Sequence, residues 1–331
     1  MPTIPRIRRP RATAVETGQR PGPRIEELEA HGLTWVHVER IDADTLQELA
    51  DRFGWHELDQ EDVLSKRQRP KLDEYADYLF VVLHFPVYDA AIQRLNAGEL
   101  DVFIGQDYLV TLPNVELLPL SRLFARCAED EALRDDLFSK GSGYLLYHVL
   151  DDLFDYCFPM LDKIGHKLDV IEDEVFEGRS EEAVRDISNV KQEIISYRKI
   201  IKPERSTLRL LERRAARFLP EELELYYDDL VDAAERIWDL LDNYKEVSEA
   251  LESTNESVLA HRFNDVLRIL TVFSIIFLPA TLIASIWGMN IGLPGGGDPA
   301  TSGHAVFWVI VAAMVAGLVG MVGFFRYKRW L

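Results

Sequence analysis

The chain has 331 residues, of which 37 are basic and 56 are acidic, and its formal net charge is −19. This charge argues against nucleic-acid binding and favours cationic partners. Its two cysteines, Cys127 and Cys157, have no CxxC spacing, so the sequence indicates neither a disulfide framework nor a thiolate metal site. The length suits one soluble domain and a membrane unit.

Residues 1–24 are rich in Arg and Pro and contain a single acid, Glu16. They lack the apolar core of a secretion signal, so we predict a disordered tail. An organelle transit peptide is the alternative, but the prolines would break the amphipathic helix that it needs.

Residues 25–142 have the pattern of a cytoplasmic α/β domain. Alternating apolar residues predict a strand over Leu33–Val38, helical spacing predicts a helix over Thr45–Phe53, and β-rich runs cover Tyr78–Phe85 and Leu100–Leu112. A sheet with antiparallel strands and helices packed on it is the expected assembly. The stretch Trp55–Asp62 is dense in potential metal ligands, but it lacks the spacing of a zinc helix, so a charged helix start is favoured.

Residues 143–219 predict packing helices of opposite charge. Apolar residues at helical spacing run from Tyr144 to Glu177 with an acidic outer face. The next helix is expected over about Ser180–Arg217, and from Ile187 to Leu219 the sequence has nine basic residues against three acids. Pro203 should bend or interrupt this second helix. We expect the two helices to pack against each other or against copies in another subunit.

Residues 220–288 predict a long stalk helix that continues into a membrane span. Between Pro220 and Pro279 there is neither Gly nor Pro, which allows one helix of roughly 58 residues, about 87 Å long. Apolar residues recur every seven positions, as in a coiled-coil seam, and a second row is expected three positions later. The first row is Leu230, Ile237, Tyr244, Leu251 and Val258, and the second is Ala233, Leu240, Val247 and Thr254.

Two apolar runs predict a C-terminal transmembrane hairpin. Ile269–Trp287 holds nineteen uncharged residues and Ala305–Phe325 holds twenty-one, each long enough to cross about 30 Å of hydrocarbon. The external loop, residues 289–304, contains no Lys or Arg, whereas basic residues flank the other ends, including the tail 326–331. The positive-inside rule therefore predicts that both termini are cytoplasmic. Three glycines of the second span suit close helix approach, namely Gly317, Gly320 and Gly323.

One face of the first span is small, hydroxylic or aliphatic, and other faces are bulky and apolar. On the pattern alone, the Ser and Thr residues are best explained as tightening helix packing in lipid. The residues of this face are Asn264, Leu267, Leu270 or Thr271, Ser274, Leu278, Thr281 and Ser285.

The chain resembles the CorA family of magnesium channels, whose signature is Gly-Met-Asn at the outer end of the first of two C-terminal spans. Here the signature is Gly288-Met289-Asn290. Further matching stretches are Asp62 with Arg69-Pro70-Lys71, Tyr78-Leu79-Phe80, Tyr144-Leu145-Leu146-Tyr147, the first span Asn264–Asn290 and the basic tail. The resemblance implies a funnel-shaped homopentamer in the inner (plasma) membrane, with a pore lined by five copies of the first span.

The resemblance also implies roles for single residues. Gly288, Met289 and Asn290 would form the selectivity filter, and Arg326, Lys328 and Arg329 a basic ring. The pore lining would comprise Asn264, Leu267, Leu270, Leu278 and Thr281. Cytoplasmic Mg²⁺ bound between subunits would close the channel through Asp229 and Asp151, with Asp228 and Asp152 as adjacent alternatives. Mg²⁺ is thus expected as substrate and regulator, with no cofactor.

Two departures from the family bear on function. The outer loop lacks the acidic Met-Pro-Glu-Leu stretch and offers only Asp298, which puts recruitment of cations at the mouth in doubt. An acidic ring before the pore helix is replaced by Ser253, with Glu252 beside it.

Three functions therefore compete. The first is passive channel-type uptake of divalent cations. Mg²⁺ would be the chief ion, and Co²⁺ or Ni²⁺ could also pass. The second is zinc transport by a member of the related ZntB branch. The third is a membrane-anchored oligomeric scaffold that conducts nothing. No recognisable constellation of nucleophile, base and acid suggests an enzyme.

Overall fold

A mixed β-sheet forms the N-terminal part of the molecule. The computed structural model describes residues 24–65, 68–89, 94–177, 179–220, 223, 225–287 and 305–328. The strands in this part are β1 (Arg24–Ala30), β2 (Leu33–Arg40), β3 (Lys71–Glu74), β4 (Tyr78–Asp89), β5 (Arg94–Gly105) and β6 (Tyr108–Pro113). Their order is β1-β2-β6-β5-β4-β3, with β2 and β6 parallel and all other neighbours antiparallel. The predicted strands and the antiparallel character of the sheet are confirmed.

Helices cover both faces of this sheet. On one face, α1 (Ala43–Phe53) and α2 (Glu57–Leu64) bury Phe80 and Phe103, and the Trp55 ring stacks on Phe103 at 3.7 Å. On the other face lie α3 (Leu118–Glu129), α4 (Glu131–Phe138) and α5 (Ser142–Asp155), with Phe124 of α3 against Trp35 at 4.9 Å. The predicted helix over Thr45–Phe53 and the charged helix start after Trp55 are confirmed.

Strand β1 begins at Arg24, a strand that the sequence pattern did not reveal. It joins β2 through His31 and Gly32, which have φ angles of 54° and 77°. A two-residue hairpin of this kind needs positive φ at both positions, and glycine adopts it without strain. The remainder of the predicted disordered tail, residues 1–23, lies outside the described residues.

The prediction of one helix from Tyr144 to Glu177 is wrong. Helix α5 ends at Asp155 and α6 runs over Phe158–Glu177. The cause is Pro159, which has no N–H to donate to the carbonyl of Asp155 and whose ring would clash with it. The Tyr197 hydroxyl donates to the carbonyl of Cys157 at 3.0 Å and so fixes the break.

Helix α7 covers Ser180–Ala215 and runs through Pro203, so the interruption that Pro203 suggested does not occur. A 3₁₀ turn, Ala216–Phe218, follows it. Three arginines of α7 form ion pairs with α8 (Leu225–Trp287), and not with the acidic face of the preceding helices. Arg198 contacts Asp242 at 2.5 Å, and Arg205 and Arg209 both contact Glu235. The ion pair between α6 and α7, Lys167 with Glu193, has the opposite polarity to the expected one.

Helix α8 has 63 residues, about 94 Å at 1.5 Å per residue, and continues through Pro279. The single long helix is confirmed. Its first seam row is buried at Leu230, Ile237 and Leu251, but the second row lies four positions later and not three. The buried residues of that second row are Ala234, Leu241, Ser248 and Asn255. Rows at +3 and at +4 both give a 3-4 alternation, so this periodicity does not choose between them, and only the structure shows that the +4 row is the buried one.

Helix α9 (Ala305–Tyr327) and the end of α8 are long and apolar enough to cross a membrane. Among the described side chains of 261–286 and 308–328, only Val272 and Phe325 are buried. Among the described residues, no neighbouring element comes close to Gly317, Gly320 or Gly323, so the close approach expected of these glycines is not made within this part of the chain.

The chain divides into two compact units. One comprises the described residues of 1–168 and 188–247, and the other those of 169–187 and 248–331. The first unit holds the sheet, its helices and α8 up to Val247, which we call the lower stalk; the part of α8 from Ser248 to the apolar run is the upper stalk. The second holds the upper stalk, the tip of the α6–α7 hairpin and both apolar helices.

Candidate functional site

The predicted pore face of α8 is exposed along its length. At 100° per residue, Leu267, Leu270, Leu278 and Thr281 lie more than about 100° around the helix from the buried Val272, and Asn264 lies about 80° from it. Each of these five residues is exposed. Within the second unit, this face is therefore left uncovered by α9.

Hydroxyl groups along this helix bond to its own backbone. Thr271, Ser274 and Thr281 donate to the carbonyls four residues earlier, at 2.7, 2.9 and 2.8 Å. Such bonds remove the need for an external acceptor and leave the hydroxyl oxygen able to accept or to coordinate. The face thus presents oxygen atoms alternating with leucine side chains. This arrangement suits passage of a hydrated cation as well as helix packing.

The signature Gly288-Met289-Asn290 lies outside the described residues and directly follows the end of α8 at Trp287. Asp298 and Arg329 also lie outside them. Ser253 is exposed, and its carbonyl accepts a hydrogen bond from the Ser257 hydroxyl at 2.9 Å.

Asp151 and Asp229 are brought close together within one chain. Tyr227 is fully buried and donates to the Gly143 carbonyl at 2.8 Å, which ties the start of α8 to the start of α5. The rings of Tyr147 and Tyr226 meet edge to face at 4.8 Å. Asp151 follows one turn after Tyr147, and Asp229 one turn after Tyr226.

The electrostatics of this pair favour a bound cation. Burial raises the pKa of Asp151 to about 6, and the neighbouring charges of Asp155, Asp229 and Asp152 add to the effect. Burial also raises the pKa of Asp152, although Arg126 opposes the rise. Asp228 and Asp229 are exposed. A positive ion held between α5 and α8 would relieve this repulsion.

A second cluster of carboxylates lies on the sheet face that α1 and α2 cover. The sequence analysis singled out the stretch that contains Asp59 and Asp62, but not Asp73. Ligand atoms of Asp59, Asp62 and Asp73 lie within 4.8 Å of one another, the one such group among the described residues. The Lys71 ammonium already lies between Asp62, at 2.5 Å, and Asp73. Asp59 is buried, which raises its pKa, and accepts from the Tyr78 hydroxyl at 2.6 Å. This group therefore carries its own cation.

The basic end of the second unit combines residues of both spans. Arg326 and Lys328 are exposed. Lys328 lines a shallow cleft together with Asn264, Leu267, Arg268 and Thr271. A ring of such residues would require several copies of the chain.

Comparisons with known proteins agree on one family. The profile of a family described as "CorA-like Mg2+ transporter protein" matches residues 30–328. A relative from Thermotoga maritima, named cobalt/magnesium transport protein CorA, is 29% identical over 300 residues, 90% of this chain and 83% of the relative. A zinc transport protein ZntB from Yersinia enterocolitica is 19% identical over 301 residues, 90% of this chain and 88% of the relative.

The fold is similar to that of a solved structure. The complete structure of CorA magnesium transporter from Methanocaldococcus jannaschii superposes with a TM-score of 0.78 at 22% identity, over 92% of this chain and 93% of that one. The likeness extends from the sheet through the long helix to both apolar helices.

Proposed function

Because the chain belongs to the family of CorA-like Mg²⁺ transporter proteins, we propose that it is a homopentameric channel for passive uptake of divalent cations, chiefly Mg²⁺, gated by cytoplasmic Mg²⁺. The family is one of divalent cation transporters and not of enzymes. Transport of Co²⁺ is a further activity suggested by the name of the Thermotoga relative.

The observation that carries this proposal is the continuity of α8. One helix leads without a break from a stalk with ten acids and two bases over residues 225–260 into an apolar span. Along that span the face with Asn264 and Thr281 is left bare. Five such faces around an axis would enclose a path with polar oxygens and leucine constrictions, which close a pore by dewetting.

The filter follows from the chemistry of the ion. Mg²⁺ loses its water reluctantly and prefers six oxygens in octahedral geometry. A ring of Asn290 amides and Gly288 carbonyls offers neutral dipoles to the hydrated ion, whereas carboxylates would hold it too long. Uptake needs no pump, since each charge gains about 2.3 kcal/mol in falling through 100 mV. Both termini and the sheet domain would then lie in the cytoplasm, as the distribution of basic residues predicts.

Regulation would use Asp229 and Asp151. Carboxylates that approach one another repel until a divalent ion neutralises them, so Mg²⁺ would bind the closed state more tightly and shift the equilibrium towards it. The raised pKa of Asp151 supports a site at which negative charges already crowd.

Ion flux into proteoliposomes that contain the full-length protein tests the transport proposal. We expect uptake of Mg²⁺ that increases with an inside-negative potential. Zn²⁺ uptake without Mg²⁺ uptake would replace the proposal by the ZntB-like alternative, which the acid-poor outer loop favours. An oligomer that carries none of Mg²⁺, Zn²⁺ and Co²⁺ would be a scaffold.

The filter is tested by Asn290→Ala. Loss of an amide that bonds to a charged, hydrated ion costs about 1.5–3 kcal/mol, so Mg²⁺ flux or its selectivity over Co²⁺ should fall at least about tenfold. Asn243→Ala, which removes an exposed amide from the stalk, is the matched control and should leave flux unchanged. Equal flux and selectivity in both variants would contradict a filter at Asn290.

The sensor is tested by Asp229→Ala. Mg²⁺ should protect the soluble part of the wild type from trypsin, and the variant should need several-fold more Mg²⁺ for the same protection. Asp239→Ala removes another exposed acid of the same helix and serves as control. If only Asp228→Ala weakens protection, the sensor is the adjacent residue, and unchanged protection in all variants would exclude this site.

A further inference from the structure

An apolar groove lies where β4 ends, beside the start of α3 and the turn between α5 and α6. Phe85 and Leu153, which are buried, line it together with Tyr88, Leu118 and Tyr156, which are between 39% and 52% exposed. All of these residues belong to the first unit. None of them takes part in the proposed pore, filter or sensor, so this exposed apolar surface calls for another partner.

The groove has the size and the chemistry of a site for a proline-rich peptide. Its recess of about 130 Å³ is close to a cavity of about 150 Å³, which holds one benzene ring, so it has room for a proline ring or an isoleucine side chain. Aromatic-lined grooves bind proline-rich segments in the polyproline II conformation, and here two tyrosines lie beside Pro86 and Pro119. Glu116 is the charged residue of the lining, and it is exposed and makes no ion pair with the described residues.

A segment with matching composition stands near the beginning of this chain. Residues 2–10 read Pro-Thr-Ile-Pro-Arg-Ile-Arg-Arg-Pro. Because a polyproline II helix has three residues per turn, Ile4 and Ile7 would share one row of such a helix. Pro2 and Pro5 would share the adjacent row, and the third row would carry arginines. The segment would thus present two apolar rows to the groove and its positive charge to an acidic protein.

The sheet brings the start of β1 to the same end of the molecule as the groove. Arg24, the first residue of β1, pairs with Arg40 at the end of β2. Strand β6 is parallel to β2 and ends there at Pro113. Both β6 and β4 are antiparallel to β5, so β4 also ends there, with Phe85–Tyr88 in the groove. Four strand spacings of about 4.8 Å separate β1 from β4, which is about 19 Å.

The chain before Arg24 is long enough to reach the groove. Thirteen residues, 11–23, join the segment 2–10 to β1, and an extended stretch of that length spans about 43 Å. Its charge is also suitable, because residues 1–23 contain five arginines and one acid in a chain whose net charge is −19. Both arguments favour binding within one chain.

We propose that residues 2–10 bind in the groove of their own chain. The apolar rows of the segment contact Tyr88 and Tyr156, and one of its arginines pairs with Glu116. The inference does not depend on the transport proposal, because every residue that it uses lies in the first unit.

Photo-crosslinking in the full-length protein tests this proposal. Tyr156→p-benzoylphenylalanine places a photoreactive ring in the groove, and mass spectrometry identifies the peptides that it joins. We expect residues 2–10 joined to position 156, in a product that keeps the mass of one chain on a denaturing gel. Leu58→p-benzoylphenylalanine is the control, because Leu58 is 60% exposed on α2, on the other face of the sheet. It should not give this product.

Variants of the segment itself leave the folded part of the chain untouched. Ile4→Asp together with Ile7→Asp replaces one apolar row by charge and should lower the yield of the Tyr156 crosslink at least about fivefold. Thr13→Asp together with Val15→Asp adds the same two charges outside the bound stretch. This matched pair should change the yield much less.

A change in the groove tests the expected ion pair. Glu116→Gln should lower the crosslink yield about two- to fivefold, as the loss of an exposed ion pair predicts. Glu129→Gln removes an exposed acid at the end of α3, outside the groove lining, and should leave the yield unchanged. A product with the mass of two chains would assign the segment to a neighbouring copy and overturn binding within one chain. Absence of any product between position 156 and residues 2–10, or equal loss in the two pairs of Asp variants, would overturn the proposal altogether.

Discussion

In the mixed sheet, consecutive residues of β4 from Leu79 to Val82 are completely buried. In the apolar end of α8 and in α9, by contrast, Val272 and Phe325 are the only buried residues among the described side chains of 261–286 and 308–328. The sheet domain completes its core with residues of one chain. The apolar helices also carry many large hydrophobic side chains, yet one chain leaves most of the described ones exposed. Lipid or further copies of the chain must cover it, because exposed apolar surface of this size is not stable in water.

The comparison predicts opposite results for the same substitution in the two regions. Leu241 of the stalk is 0% exposed and Leu278 of the span is 67% exposed. Leu241→Ala leaves a cavity and should lower the free energy of unfolding by about 2–5 kcal/mol. Leu278→Ala should leave the urea midpoint of the sheet domain unchanged and alter ion flux, because it widens a proposed constriction.

Urea unfolding of the full-length protein, followed by tryptophan fluorescence, and proteoliposome flux measure these two effects. A large loss of stability from Leu278→Ala would mean that its side chain packs against another part of the same chain. The contrast between the regions would then be broken.

Glu204 sharpens the comparison, because it is an acid inside the first unit, which also holds the sheet. It is completely buried, which raises its pKa well above the usual range, and one carboxyl oxygen accepts from the backbone N–H of His84 at 2.6 Å. Glu204→Ala removes this acceptor and should cost about 1–3 kcal/mol. Glu204→Gln keeps an acceptor and should cost less at neutral pH.

The pH dependence of this effect has a definite sign. A glutamate of the unfolded chain loses its proton at a pH of about 4.3. In the native state the pKa of Glu204 is raised, so the proton stays on Glu204 above that pH. Native protein therefore binds more protons, and the contribution of Glu204 to stability is lost as pH rises from about 4.3 towards its folded pKa. Glu204→Gln should gain stability relative to the wild type between pH 4.5 and pH 7.5. Glu212→Gln on the same helix is the control, and a pH-independent difference for Glu204→Gln would contradict a protonated Glu204.

The smallest expected contrast concerns single hydroxyl groups. Tyr227→Phe removes the hydroxyl that donates to the buried Gly143 carbonyl and should cost about 0.5–1.5 kcal/mol. Thr281→Val removes a hydroxyl bonded to the Phe277 carbonyl of its own helix, and we expect little change in unfolding. Thermal unfolding of both variants, at one protein concentration, checks this order. A reversed order would show that Thr281 has a partner that contributes to stability.

Much of the architecture was predictable because its signals are local. Alternation in Leu33–Val38, helical spacing in Thr45–Phe53 and the absence of Gly and Pro between residues 220 and 279 each determine an element by themselves. The break after Asp155 could also have been foreseen, because Pro159 stands inside the proposed helix. Periodicity over a long window outweighed this single residue.

Other features depend on tertiary contacts and could not be read from a pattern. Apolar residues occupy both candidate rows of the stalk seam, as at Leu240 and Leu241, and the buried row includes the polar Ser248 and Asn255. The group of Asp59, Asp62 and Asp73 exists because α2 packs beside β3, so sequence spacing alone did not reveal it. The proposed pore face depends on neighbouring copies and remains a prediction.

Helix α8 passes through Pro279, which has no N–H to donate, so the carbonyl of Ile275 loses its usual helical partner. That carbonyl lies within the apolar span, where a bare acceptor is costly unless water or another polar group reaches it. The missing bond also makes this turn more compliant than the turns below it. The last eight residues of α8, which lead to the signature, therefore follow a turn that has one backbone hydrogen bond fewer than the turns before it.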